Sequence, residues 1–179
     1  SAGPIVTDDL WFHLAAGRAY TSEGPWPARD PLLHTAVPSA PVQHEWLFGV
    51  GVHAVDRAFG LHGLRVLHGL AVLALSLAVG ALLRGSAPSA AWAAFATAVY
   101  LALSWWRLVQ LRPDLFSIGA AFACWALLFA APGRRSWRRV AVFIALIALW
   151  ANVHSLFMVG LALGVAVLLG IALEAVLSR

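Results

Sequence analysis

Six apolar runs, at about 45–59, 62–83, 89–106, 115–131, 139–153 and 155–177, follow one another with only short breaks between them. This succession limits the fold more than any other feature. A bilayer core is crossed by roughly 20 helical residues. Inside lipid, every backbone N–H and C=O needs a partner within the protein, which leaves the helix as the natural form for such a run. The runs at 62–83 and 155–177 are long enough to span, and those at 89–106 and 115–131 come close. The runs at 45–59 and 139–153 are short, which suits a re-entrant, interfacial or thin-region segment. The breaks fall at Gly60, at Arg84 to Pro88, at Arg112-Pro113 and at Pro132-Gly133. Composition agrees: 61% of residues are hydrophobic and 11% charged, against about 25% charged in soluble domains. Trp46, Trp92, Trp105, Trp106, Trp137 and Trp150 sit near run ends, as interfacial belts require. The expected fold is all-α: a polytopic transmembrane helical bundle with an N-terminal extramembrane loop carrying an amphipathic helix.

Two regions follow. Residues 1–44 are the long polar stretch, with Pro4, Pro25, Pro27, Pro31, Pro38 and Pro41. Within it, Leu10, Trp11, Leu14 and Ala15 recur at helical spacing, which predicts a helix over 8–21 capped by Thr7 and lying on the bilayer surface. A turn-rich loop from Glu23 to Pro41 follows. Residues 45–179 form the membrane module, with about five spanning helices and one short or re-entrant one. The chain opens on Ser1 without a signal-like segment, and an upstream segment is expected.

All twelve basic residues are arginine, and Arg134, Arg135, Arg138 and Arg139 cluster. Basic residues favour the cytoplasmic side. If 45–59 does not cross and the other five runs do, this cluster is cytoplasmic. The 1–44 loop, Arg112 and His154 then share the periplasmic face of a bacterial inner membrane. No basic face interleaved with aromatics is visible, so nucleic acid is not an expected partner. Cys124 stands alone, without disulfide or metal-ligand spacing.

Several polar groups are candidates for chemistry. Carboxylates at a bilayer edge are costly, so Asp8 and Asp9 are candidates for a general base or a divalent-cation ligand, although spacing alone favours simple capping, solvated residues. Adjacent helical residues diverge by about 100°, so one is expected to face a cavity and the other to cap. His13 falls one turn after Asp9, placed to orient it or touch a phosphate. His44 and Glu45 open the first apolar run, where they either line a pocket or mark helix entry. His62, Arg65 and His68 form a stripe. Arg65 suits an anionic headgroup, and His68 suits either a packing hydrogen bond or a haem or pigment ligand. In Arg112-Pro113-Asp114, the guanidinium suits a phosphate or an ion pair with Asp114. Asn152, His154 and Ser155 lie between two apolar runs and must find partners, in a ligand pocket or across helices.

The ordered motifs D-L-W-F-H-L-A-A-G-R, D-P-L-L-H-T, Q-H-E-W-L, L-R-P-D-L-F-S and W-A-N-V-H-S-L-F resemble GT-C-type integral membrane glycosyltransferases. The chain is similar to the dolichyl-phosphate-mannose protein mannosyltransferase-like group and its bacterial relatives, over nearly its whole length. The resemblance implies an outer loop whose acidic motif supplies a base or helps bind a metal, beside a polyprenyl-phosphate-linked sugar. It points to Asp9, or Asp8, as the catalytic carboxylate. Arg112 is implied as the phosphate contact, and Asn152 and His154 match a W-x-N-x-H element of the family; His44, Glu45 and His154 are expected to line the site, with His13 and Arg65 as further substrate contacts. Thr7 stands where the bacterial relatives often have Asp, and Ser155 replaces a usual glycine. The first helix of the family and its later helices have no counterpart here, so the resemblance implies a membrane module.

The expected activity is sugar transfer from a polyprenyl-phosphate donor to an acceptor hydroxyl, inverting, with a divalent cation as a possible cofactor. Expected partners are the bilayer, the lipid-linked donor, and other membrane subunits or further parts of the same protein. Two alternatives are a non-catalytic GT-C-derived subunit of a larger complex, and a haem- or pigment-binding subunit using His68 or His53.

Overall fold

The computed structural model describes residues 9–24, 26–27, 29–30, 32, 44–129 and 136–178. The described residues are all helix and connecting turns: α1 (Leu10–Glu23), α2 (Trp46–Ser86), α3 (Ala90–Leu108), α4 (Pro113–Phe129), α5 (Trp137–Val153) and α6 (Phe157–Leu177). The all-α expectation holds. Two of these helices, α2 and α6, are long and apolar enough to cross a membrane.

Local chemistry explains most boundaries. α1 begins after Asp9 and ends at Gly24, whose φ of 87° lets its N–H return to the Tyr20 carbonyl. Asp9 makes no side-chain capping bond. Thr7 and Asp8 lie outside the described residues. Ser89 caps α3 by accepting from the Trp92 N–H at 3.3 Å. α4 opens on Pro113, which lacks the N–H a first turn leaves unused, and Asp114 adds negative charge in that turn.

The runs expected as separate at 45–59 and 62–83 form one bent element. Gly60 has φ 62° and ψ −164° inside α2, a conformation essentially reserved for glycine. The chain therefore turns there without leaving the helical path on either side. Val52 and Leu64, from opposite sides of the bend, share one core with Leu10, Leu14 and Leu111. The first arm of α2 also packs across α1 at a point where neither helix has a side chain. A Cβ on Gly17 would fall 2.0 Å from the Gly49 carbonyl oxygen.

Beyond the bend, α2 runs against α3 and α4 through Leu75, Val79, Leu108 and Leu115. A third core, Ala120, Cys124 and Trp150, joins α4 to α5, with Phe157 and Leu163 of α6 against it. Much of the remaining apolar surface points outward. Leu103, Trp105, Trp106, Leu168 and Leu169 are each more than 60% exposed. α1 is amphipathic in an unusual sense. Its buried face, Leu10, His13, Leu14, Gly17 and Tyr20, includes a histidine, while Trp11 and Phe12 face out.

Candidate functional site

The start of α2, the α3–α4 loop and the α5–α6 turn meet at one end of the bundle, and α1 lies over them. Each of these places is a break between apolar runs, where polar residues collect. What they do there depends on pairing.

Asp9, just before α1, forms an ion pair with Arg112 of the α3–α4 loop. Both side chains are partly exposed. One turn into α1, His13 is buried, with Nε2 3.8 Å from Glu45 Oε2 and its ring edge-on to Phe48. Glu45 stands just before α2. Its other oxygen, Oε1, lies 3.3 Å from His154 Nε2. The same His154 nitrogen lies 3.3 Å from Asp114 Oδ1. Asp114 in turn accepts from Arg107 Nη1 at 2.8 Å. A continuous line of groups therefore runs His13–Glu45–His154–Asp114–Arg107. The Asp9–Arg112 pair joins it at two places, since Asp9 is one turn from His13 and Arg112 is two residues from Asp114.

Behind His154, the Ser117 hydroxyl lies 2.7 Å from Nδ1, and the Trp150 indole N–H donates to the same hydroxyl at 2.8 Å. Ser117 and Trp150 are almost wholly buried. Trp46 Nε1–H donates to Asn152 Oδ1 at 2.9 Å, tying α2 to α5, and the Asn152 amide donates back to the Ala148 carbonyl. Trp26 from the loop after α1 packs near Trp46, with ring centres 6.2 Å apart.

Burial tunes the line. It pushes His13 down to about 4, with the neighbouring His154 adding to the effect. Burial also lowers His154, while Asp114 opposes the shift. Glu45 moves the other way: burial raises it, Asp114 raises it further, and His44 works against both. Two histidines that resist a proton thus flank a carboxyl that holds one more readily than usual.

Of the expected site residues, Asp9, His13, Glu45, Arg112 and His154 come together. Asn152 is adjacent but serves as a bridge between helices. His44 is exposed beside Glu45. Asp8 lies outside the described residues. Arg65 is half-buried on α2, and its Nε has no hydrogen-bond partner. His68 Nε2 donates to the Leu108 carbonyl at 2.7 Å, so it fastens α2 to the end of α3. That is the packing alternative for His68. The turn pair suggested by Arg112-Pro113-Asp114 does not form. Arg112 turns to Asp9 and Asp114 to Arg107 and His154, because the intervening Pro113 starts a helix and sends the two side chains different ways.

Ser117 and Trp150 enter the site without having been expected there, while Asp114 and Arg107, expected only as parts of a polar loop around Arg112, pair with each other. Asp114 and Ser117 are one turn apart on α4, a helical spacing that placed them on one face. Trp150, read as an interfacial anchor, is instead a buried donor. Among the described residues, no group of three or more His, Cys, Asp or Glu side chains is arranged to hold a metal ion. No known family, characterised protein or solved structure matches this chain.

Proposed function

We propose that the chain is a GT-C-like membrane module that transfers a sugar from a polyprenyl-phosphate donor to an acceptor hydroxyl. One observation carries the reading: Asp9 and Arg112, far apart in sequence, are brought into direct contact beside Glu45 and His154. A carboxylate and a guanidinium side by side are the two groups this reaction needs. Asp9 takes the proton from the acceptor hydroxyl. The hydroxyl oxygen attacks the anomeric carbon from the face opposite the phosphate. The carbon–oxygen bond to the phosphate breaks with inversion, and the leaving phosphate keeps the electron pair. Arg112 matches two phosphate oxygens and stabilises their charge. Because Asp9 holds Arg112 in the free site, an arriving phosphate exchanges with Asp9 on Arg112. The base is thereby released when the donor is seated.

In this reading α2 beyond Gly60 and α3 to α6 lie in a bacterial inner membrane. The first arm of α2 and α1 rest on its periplasmic surface. The outward apolar faces of α2 and α6 support that placement, since only 11% and 6% of their most apolar stretches are buried within the protein. The outward Trp11 and Phe12 suit an interfacial helix.

Native mass spectrometry of the gently solubilised protein, with lipids retained, tests the proposal. A mass increment matching a polyprenyl phosphate, lost in Arg112→Ala and kept in Asp9→Asn, is the expected result. Absence of such a lipid, with normal biological function in both variants, overturns it. The second reading, a non-catalytic GT-C-derived subunit, draws on the mutual neutralisation of Asp9 by Arg112 and of Asp114 by Arg107. Its mark is stable co-purification with other membrane subunits and no bound donor.

A further inference from the structure

The bonds behind His154 bear on where its protons sit. Trp150 has only a donor, so its indole N–H must give to the Ser117 oxygen. With that oxygen already accepting, the arrangement that also uses the Ser117 hydroxyl hydrogen has it donate to His154 Nδ1, 2.7 Å away. A neutral imidazole that accepts at Nδ1 carries its hydrogen on Nε2. That nitrogen faces two carboxylates at once, Glu45 and Asp114, each at 3.3 Å. One N–H cannot fully satisfy both.

We propose that Glu45 is the first of the Glu45–His154–Asp114 cluster to take up a proton as pH falls, and that Ser117 and Trp150 are positioning residues which make it so by holding His154 as the Nε2–H donor. A proton arriving at this cluster has two places to go. On His154 Nδ1 it would meet the Ser117 hydroxyl hydrogen head-on, and that hydroxyl would have to turn to another acceptor while still receiving from Trp150. On Glu45 it breaks no hydrogen bond and removes one of two like charges facing the same N–H. Asp114 is the poorer acceptor, because Arg107 holds its other oxygen at 2.8 Å. The remaining charged and titratable neighbours are His13 from α1 and His44 ahead of α2, with the Asp9–Arg112 pair at the margin. Burial and the Asp114 charge both raise Glu45, and burial lowers His13 and His154, in the same direction as the geometry. The inference does not depend on sugar transfer. It applies equally to a catalytic module and a scaffold, so it can fail while the functional proposal stands, and the reverse.

The test is nitrogen-15 NMR of the full chain in detergent micelles, labelled at histidine rings, with His154 assigned by the loss of signal in His154→Gln. At neutral pH, Nε2 is expected to carry the proton and Nδ1 to be bare. As pH falls, the first transition sensed at His154 should leave Nδ1 bare and vanish in Glu45→Gln. In Ser117→Ala, His154 should become the first group to protonate, and Ser117→Thr should restore the wild-type order. Trp150→Phe, which keeps the ring and loses the donor, should give a mixture of tautomers. A proton on Nδ1 in the neutral wild-type protein overturns the proposal. So does a first transition that protonates Nδ1, or one that persists in Glu45→Gln. The wild-type titration and Glu45→Gln decide the matter even where Ser117→Ala does not fold.

Discussion

The two ends of α2 are held in opposite ways. Near its start, the backbone of α2 touches α1 at Gly49 and Gly17, and Glu45 and Trp46 are bonded to other elements. Toward its far end, small side chains leave a groove against α3, lined by Gly80, Ala81, Ala93, Ala94 and Thr97 among others. Contacts there are apolar, and the outward faces are large aliphatic groups. The first end depends on direction and distance, so single atoms matter. The second depends on area removed from water or lipid, so it is forgiving.

The sharpest way to break the comparison is at Gly17. A methyl group there would sit 2.0 Å from a backbone oxygen that has no freedom to move aside. Gly17→Ala should cost about 3 kcal/mol or more of stability, read as a large fall in melting temperature in detergent. Near-normal melting would mean that the helices do not cross as closely as described.

Acid should act next, and on the same end. Unfolded His13 takes up a proton near its ordinary value of 6.5, while the folded form waits until about 4. The unfolded state therefore binds more protons between these values. Stability is full above about 6.5, falls as pH drops, and stops falling on this account below about 4. The shift corresponds to roughly 3 kcal/mol at most. Raised Glu45 works in the opposite sense, gaining relative stability as pH falls, and so blunts the loss. His13→Asn should flatten the acid side of a melting-temperature profile. An unchanged slope would remove His13 as its source.

Gly60→Ala probes the join between the two arms. Its φ of 62° with extended ψ strains any other residue, by about 1–3 kcal/mol, although the space around it is open. The expected signature is lower stability with wild-type helix content by circular dichroism. A gain in stability would show that the bend is dispensable.

Gly160→Ala should cost less, about 1 kcal/mol. Its Cβ meets the movable tip of Ile147 at 2.4 Å, though also the Trp150 ring at 2.9 Å. A loss as large as that of Gly17→Ala would erase the distinction between the two kinds of packing. The smallest effect belongs to α6: Leu168→Ala, at a side chain 66% exposed, should change monomer stability by under about 0.5 kcal/mol. A large drop would mean that another polypeptide covers this face in solution.

Much of this fold was legible in the sequence. Helices were assigned from run length and apolar pattern, both local properties. The breaks expected at Gly60, at Arg84 to Pro88 and at Arg112-Pro113 rest on glycine and proline, whose backbone preferences act on their own positions. The polar motifs fell at helix ends for the same reason, and alternate breaks of the chain bring the start of α2, the α3–α4 loop and the α5–α6 turn to one end. Thus the neighbourhood of Asp9, Arg112, Glu45 and His154 could be expected from chain order alone.

The partners within that neighbourhood could not. Arg112-Pro113-Asp114 reads as a turn pair, yet the proline starts a helix that directs Asp114 to Arg107 and His154 and leaves Arg112 for Asp9. Ser117 and Trp150 lie inside apolar runs and look like packing and anchor residues, but they set the hydrogen bonding of a histidine on another helix. A hydrogen bond or ion pair is decided over a few tenths of an ångström and a few tens of degrees, and that precision comes from how the helices cross. Sequence alone determined which segments are helical and that the polar groups gather at helix ends. Tertiary structure alone decided which donor meets which acceptor, because direction and distance belong to the packing and not to the chain.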